Sequence, residues 1–188
     1  MERAAKTLAA LAFVAALGLV ACGEEEVGRP GHEPAREGLA LDLGGIDYNV
    51  FITRQLNTAI PPDDAYYEGP PPPRGQTLYG IFLQACNQGE RPRRTADRFH
   101  VKDSQGNRFE PVELPESNRF AYHAQLLNPE ECIPEVGSVA QLGPAAGSML
   151  LFRLPLANTE NRPLELVVEG EFDPLEARRE ELTFELDI

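Results

Sequence analysis

The sequence predicts an all-β chain folded as an antiparallel β-sandwich. Three observations carry that prediction. Runs of alternating apolar and polar residues recur along the chain, about seven of them and all short. Proline and glycine fill the intervals, 17 and 16 of them in 188 residues, and these residues interrupt helices and supply turns. The 3.6-residue period of an amphipathic helix is almost absent, so sheet must pack on sheet.

The first 21 residues stand apart from this pattern. Arg3 and Lys6 form a positive start, and Leu8 to Val20 is uncharged and apolar. That run is shorter than the ~20 residues a membrane span needs, so an export signal is expected. It ends in Leu19-Val20-Ala21-Cys22, which resembles the lipobox of bacterial lipoprotein signals. The resemblance implies cleavage before Cys22 and a diacylglyceryl group on its sulfur, an anchor strengthened by about 0.8 kcal/mol per buried CH₂. An uncleaved anchor and a secretory signal with a chance cysteine are the alternatives.

Residues 22–38 are rich in Glu, Gly and Pro, with Val27 as the aliphatic exception. The composition predicts a disordered acidic tether, with His32 solvated. The sandwich domain is expected over residues 39–188. Its first strand is Ile46 to Leu56, where Ile46, Tyr48, Val50 and Ile52 alternate with Asp47, Asn49, Phe51 and Thr53 after a Gly44-Gly45 turn. Residues 57–75 follow as a long loop stiffened by Pro61-Pro62 and Pro70 to Pro73. They suit a surface connection or a Pro-rich ligand. Gln76 to Asn87 is apolar on both faces around Ile81-Phe82-Leu83, as a central strand is.

Arg91, Arg93, Arg94 and Arg98 come next, a basic cluster in an acidic chain. Such a cluster binds an anionic polymer or phosphate, or forms surface ion pairs. Residues 99–103 and 107–112 read as a hairpin, with Gly106 at the positive-φ position of its turn. Asp103-Ser104-Gln105-Gly106-Asn107 lacks the acidic spacing and terminal Glu of a calcium loop, so a turn is expected. Residues 113–146 form a long irregular stretch. Strands follow at 147–156, 164–169 and 181–188, with a helical turn expected within 172–180.

Cysteine usage adds one constraint. With Cys22 lipidated, Cys86 and Cys132 remain, and in an oxidising compartment they are expected to form a disulfide that staples the 113–146 stretch.

Several of these residues also carry a family resemblance. They are Gly45-x-x-Tyr48-x-Val50, the apolar strand ending in Cys86-Asn87, Phe99-x-Val101-x-Asp103-Ser104-x-Gly106-x-x-Phe109, and Gly147-Ser148-x-x-x-Phe152-x-Leu154-Pro155. Together they resemble the telokin-like immunoglobulin-fold domains of unknown function common in Gram-positive lipoproteins. The resemblance covers residues 41–188 and implies an immunoglobulin-like β-sandwich with no known catalysis and no functional residues to carry over. The long Pro-rich loop and the Cys132 stretch depart from that pattern, and the chain has no Trp.

Charge bounds the function. The whole chain is −13 and residues 1–21 contribute +1 (Glu2, Arg3, Lys6), leaving −14 for the remainder. A nucleic-acid partner, which needs a basic footprint, is not expected. No zinc spacing, nucleophile elbow, phosphate loop or dinucleotide fingerprint is present, so no metal or cofactor is expected. The expectation is a membrane-anchored, extracytoplasmic binding or scaffolding module, non-catalytic, whose partner is a protein or a cell-envelope polymer. Its candidate binding residues are the loop aromatics Tyr66, Tyr67, Phe120 and Tyr122, types favoured at interfaces. The alternative is an envelope hydrolase using loop carboxylates and His123, which requires His100, His123 and a carboxylate to converge in one concave site.

Overall fold

The structure, a computed structural model, describes residues 26–175 and 177–188. The signal and Cys22 lie outside the described residues. In chain order the elements are β1 (Ala35–Arg36), β2 (Ala40–Leu43), β3 (Ile46–Leu56), α1 (Asp63–Tyr66), β4 (Gln76–Asn87), β5 (Arg93–Arg94), β6 (Arg98–Lys102), β7 (Arg108–Phe109), β8 (Leu126–Leu127), β9 (Cys132–Ile133), α2 (Val139–Leu142), β10 (Ser148–Pro155), a 3₁₀ turn (Asn158–Glu160), β11 (Glu165–Asp173) and β12 (Arg178–Glu185).

Two sheets face each other. Sheet A runs β1-β12-β11-β6-β7 and sheet B runs β10-β4-β3-β2, with β9 also paired to β4. Neighbours are antiparallel except β1 and β12, which are parallel. The inner faces meet in one apolar core. Sheet B supplies Tyr48, Ile81, Leu83 and Phe152, and sheet A supplies Phe99, Val101, Leu166 and Phe184. Three strands of each sheet carry this core, β3, β4 and β10 against β6, β11 and β12, with the chain crossing between sheets. That is the immunoglobulin-like β-sandwich.

Both long strands expected around this core form with the expected ends; the two-residue period places Ile46, Tyr48 and Val50 inward, and a β-bulge between Val50 and Ile52 turns Ile52, expected on the same face, out to 41% exposure. In β4 the odd positions Tyr79, Ile81, Leu83 and Ala85 face the main core. The even positions Leu78 and Phe82 face outward into a second cluster with Tyr66, Tyr67, Met149 and Leu151. The strand is apolar on both faces because the long loops lie over the outside of sheet B as a third layer.

Four expectations are corrected. Residues 26–38 are part of the domain rather than a tether. Ala35 is wholly buried, and Val27 packs on the core. The Gly28 carbonyl accepts from Thr183 N at 2.7 Å. The Glu37 carboxylate accepts from Thr53 N and Asp187 N, both at 3.2 Å. A segment too polar to fold alone can still add to a waiting sheet edge, and here it covers the open side of β12. The domain therefore starts before residue 39, and β2 precedes the strand expected to be first. Gly44 and Gly45, at φ 63° and 87°, form its two-residue hairpin turn to β3. Where a helical turn is expected within 172–180, β11 runs to Asp173 and β12 starts at Arg178, paired as a hairpin, and no helix lies among the described residues between them. The strand after Gly106 stops at Phe109, and the chain crosses to sheet B, where Val112 N donates to Leu151 O at 2.6 Å.

The Cys86–Cys132 disulfide is present, joining directly paired residues of β4 and β9 with Cα atoms 4.1 Å apart. It closes a loop with a sequence separation of 46, a constraint of about 4 kcal/mol in the chain-entropy model. It joins other ties on the 113–146 stretch: Asn87 N donates to Glu131 O and Glu130 N to Asn87 O, both at 2.9 Å, and Tyr122, Leu127 and Ile133 are buried in the core.

Candidate functional site: an arginine-lined cleft

The aromatics expected to form binding loops are packing residues. Tyr66 is 1% exposed and meets Phe82 and Phe120 edge-on, with ring centroids 4.9 Å away in each case. Tyr67 is buried in the same cluster, and Phe120 packs against it. Tyr122 is buried in the main core, edge-on to Phe99 at 5.0 Å. The physical reason is the outer face of sheet B. Leu78, Phe82, Met149 and Leu151 project from it and need cover, and these rings provide it. Asp63 is also buried and receives Arg54 Nη2 at 2.6 Å and Asn57 N at 2.8 Å.

The histidines do not converge. His100 lies on the outer face of sheet A, opposite Val167, with Nδ1 3.2 Å from Glu169 Oε1. Arg108 Nη2 donates to that same oxygen at 2.9 Å. Burial and then the Arg108 charge push the His100 pKa down, against a weaker upward pull from Glu169. His123 is exposed and lines a separate groove of about 320 Å³ with Asp97 and Glu113.

A second concavity, about 720 Å³, opens where the β2–β3 turn, the segment leading into β6 and the β11–β12 hairpin meet. Three of the four clustered arginines line it: Arg93, Arg94 and Arg98. Arg91 does not; its carbonyl accepts from Asn87 Nδ2 at 2.8 Å. Arg178 and Arg179 enter from the facing hairpin. Sequence reasoning missed these two, because their one signal was an adjacent Arg pair in a stretch expected to be helical. Strand order joins the groups, since β6, β11 and β12 are neighbours although residues 98 and 178 are far apart in sequence.

The walls of the cleft are fixed by buried polar groups. The Asn87 side chain, wholly buried, donates to Arg91 O at 2.8 Å and Leu127 O at 3.0 Å, and its Oδ1 accepts from Gly89 N at 3.0 Å. Two phenols clamp the Ala96 peptide. Tyr48 OH accepts from Ala96 N at 2.6 Å, and Tyr122 OH donates to Ala96 O at 2.9 Å. Burial pushes the Tyr48 pKa up to about 12, so the phenol stays neutral. On the other wall Arg179 Nη1 donates to Gly170 O at 2.8 Å, and its guanidinium lies 6.0 Å from the centre of the Phe172 ring.

No protein-family model matches the chain, and no curated protein sequence matches it. Solved structures do. A functionally unknown protein from Listeria monocytogenes EGD-e superposes with a TM-score of 0.50 at 8% identity, covering 82% of this chain and 85% of that one. The yjhA protein from Bacillus subtilis gives 0.48 at 12% identity, over 81% and 99%. An uncharacterized β-sandwich protein from Clostridium difficile 630 gives 0.46 at 12%, over 82% and 95%. The chain is similar in fold to the functionally unknown Listeria protein. At these identities the likeness is one of fold alone, and function rests on this chain's own residues.

Among the described residues no group of His, Cys, Asp and Glu is arranged to hold a metal ion, and no helix is long and apolar enough to cross a membrane.

Proposed function

We propose that the protein is an extracytoplasmic binding module of the telokin-like immunoglobulin type, held on the membrane by lipid on Cys22 and working by recognition rather than turnover. The observation that carries this reading is the concentration of five guanidiniums around the cleft of about 720 Å³. Guanidiniums recognise anions through fixed forks of N–H donors; they do not titrate near neutral pH and supply no general base. The recognition surface therefore moves from the loop aromatics to the arginines.

The lipobox supports the anchor, and the fold adds a constraint to it. Val27 packs on the core, and the stretch from Cys22 to Val27 reaches at most about 18 Å when extended. A lipid on Cys22 thus holds the sandwich close to the bilayer instead of at the end of a long tether. The hydrolase alternative keeps one observation in its favour, the shared groove of His123, Asp97 and Glu113.

The test is metabolic labelling with an alkyne fatty acid, followed by fractionation and crosslinking on intact cells. The natural chain is expected to carry the label, to fractionate with membranes and to crosslink to an envelope component. Cys22→Ser is expected to lose the label. An unlabelled natural chain removes the anchor, and substrate turnover that disappears in His123→Ala removes the recognition reading.

A further inference from the structure

We propose that the arginine-lined cleft is a binding site for a phosphate-bearing ligand, an inference that rests on the recognition reading above and names its chemistry. The first ground is a local reversal of charge. The chain carries 30 Asp and Glu against 17 Lys and Arg, yet among the described residues the cleft lining sets Arg93, Arg94, Arg98, Arg178 and Arg179 against four carboxylates. One of those four, Glu169, is already engaged by Arg108 from outside the cleft at 2.9 Å.

The second ground is that part of this charge is uncommitted. Among the described residues no carboxylate lies within ion-pair distance of the Arg93, Arg94 or Arg98 guanidinium, and none of the three donates a hydrogen bond. Three guanidiniums that face one hollow without a carboxylate partner are arranged for an anion from outside.

The third ground is rigidity. Asn87 fixes the loop before Arg93, the Tyr48–Ala96–Tyr122 clamp fixes the segment between Arg94 and Arg98, and Gly170 O fixes Arg179. The backbone that carries Arg93, Arg94 and Arg98 is thereby held, so that binding has to order their side chains and not the segment.

Geometry favours phosphate over carboxylate. A carboxylate offers two coplanar oxygens and a single charge, and its in-plane edge pairs with one bidentate guanidinium. Guanidiniums on opposing walls of a cleft suit a tetrahedral group, whose three or more oxygens and higher charge are shared among several forks. Two sources of that group fit. One is a soluble phosphate compound. The other is a phospholipid headgroup, because the chain enters the fold beside the cleft: Arg29 Nη2 donates to Asp42 O at 2.9 Å, one residue from the lining residue Leu43. The neighbouring hairpin also bears Phe172 and Leu175, exposed by 52% and 94%.

The experiment is calorimetric titration of the full chain with inorganic phosphate, pyrophosphate and phosphatidylglycerol–phosphatidylcholine vesicles, with citrate as the carboxylate comparator. The variants are Arg93→Gln/Arg94→Gln/Arg98→Gln and, at the opposite end of β4, Arg74→Gln. Each is first shown to unfold at the natural midpoint. At least one phosphate probe is expected to bind saturably and more weakly in high salt, with affinity lost at least tenfold in the triple variant and kept in Arg74→Gln. Binding of the soluble probes assigns a soluble ligand, and binding of vesicles alone assigns a headgroup. The proposal is overturned if no phosphate probe binds, if the triple variant binds as the natural chain does, or if citrate outcompetes every phosphate probe; the last result leaves the recognition reading standing. Hydrolysis of bound pyrophosphate would instead overturn the recognition reading and leave the site.

Discussion

Replacing Asp103 with Asn is expected to destabilise the domain by about 3 kcal/mol, although it changes one atom. The Asp103 carboxylate is 4% exposed and accepts five hydrogen bonds. Oδ1 takes Gln105 N at 3.0 Å and Asn107 N at 2.9 Å, closing the turn. Oδ2 takes the side-chain amides of Asn107, Asn158 and Asn161 at 2.8, 3.0 and 3.0 Å. In Asp103→Asn, Oδ1 is kept, but an NH₂ group replaces Oδ2 and faces three donors. Hydrogen bonds to a charged group contribute about 1.5–3 kcal/mol each. The three amides can partly turn to water, so the loss is nearer that of one or two bonds than of three. For a domain of this size it lowers the thermal midpoint by roughly 6–12 °C.

The pH dependence provides a second check. Burial raises the Asp103 pKa, but the hydrogen bonds from Asn158, Asn107 and Asn161 outweigh it and hold the carboxyl well below the usual carboxylate range. With the folded-state pKa depressed, the stabilisation is complete above the unfolded pKa and is lost as pH falls toward the folded one. Urea unfolding of both chains is therefore expected to show a constant gap above about pH 5 that narrows by about 1 kcal/mol at pH 3. A gap below about 1 kcal/mol at neutral pH, or one that does not shrink in acid, would refute the reasoning.

Two further outcomes follow from buried groups. Tyr66→Ala is expected to cost about 3–5 kcal/mol in urea unfolding. Tyr66→Phe is expected to be neutral or slightly stabilising, because the buried Tyr66 hydroxyl has no hydrogen-bond partner among the described residues. His100 is expected to titrate below the ordinary histidine value, read from its ring-proton shifts by NMR, since burial and Arg108 oppose its charge. A lowered folded-state pKa means stability falls as pH drops below the unfolded value, about 6.5. His100→Gln should flatten that part of the profile, and a midpoint above the ordinary value would contradict the placement beside Arg108.

The chain dictates a good deal by itself. The alternation from Ile46 to Val50 and the apolar run Gln76–Asn87 specify two strands, because a two-residue period satisfies only a pleated sheet; a β-bulge between Val50 and Ile52 then turns Ile52 outward, 41% exposed, which the alternation alone does not foretell. Asp103 to Asn107 specifies a turn through local geometry, and Gly106 adopts φ 82° there. Two leftover cysteines specify their own pairing. Tertiary structure decides whatever depends on a partner distant in sequence. Residues 26–38 look unfoldable alone and become ordered at the edge of β12. Tyr66, Tyr67, Phe120 and Tyr122 look like an interface until the outside of sheet B and the main core claim them. The Asp103 turn draws its strength from Asn158 and Asn161, which no local pattern connects to it. The cleft exists because β6 and the β11–β12 hairpin are sheet neighbours, bringing Arg178 and Arg179 against Arg93, Arg94 and Arg98. Periodicity encodes what a residue does within its own strand; which charges meet across a cleft depends on strand order, which hydrogen bonding and core burial settle over the whole chain.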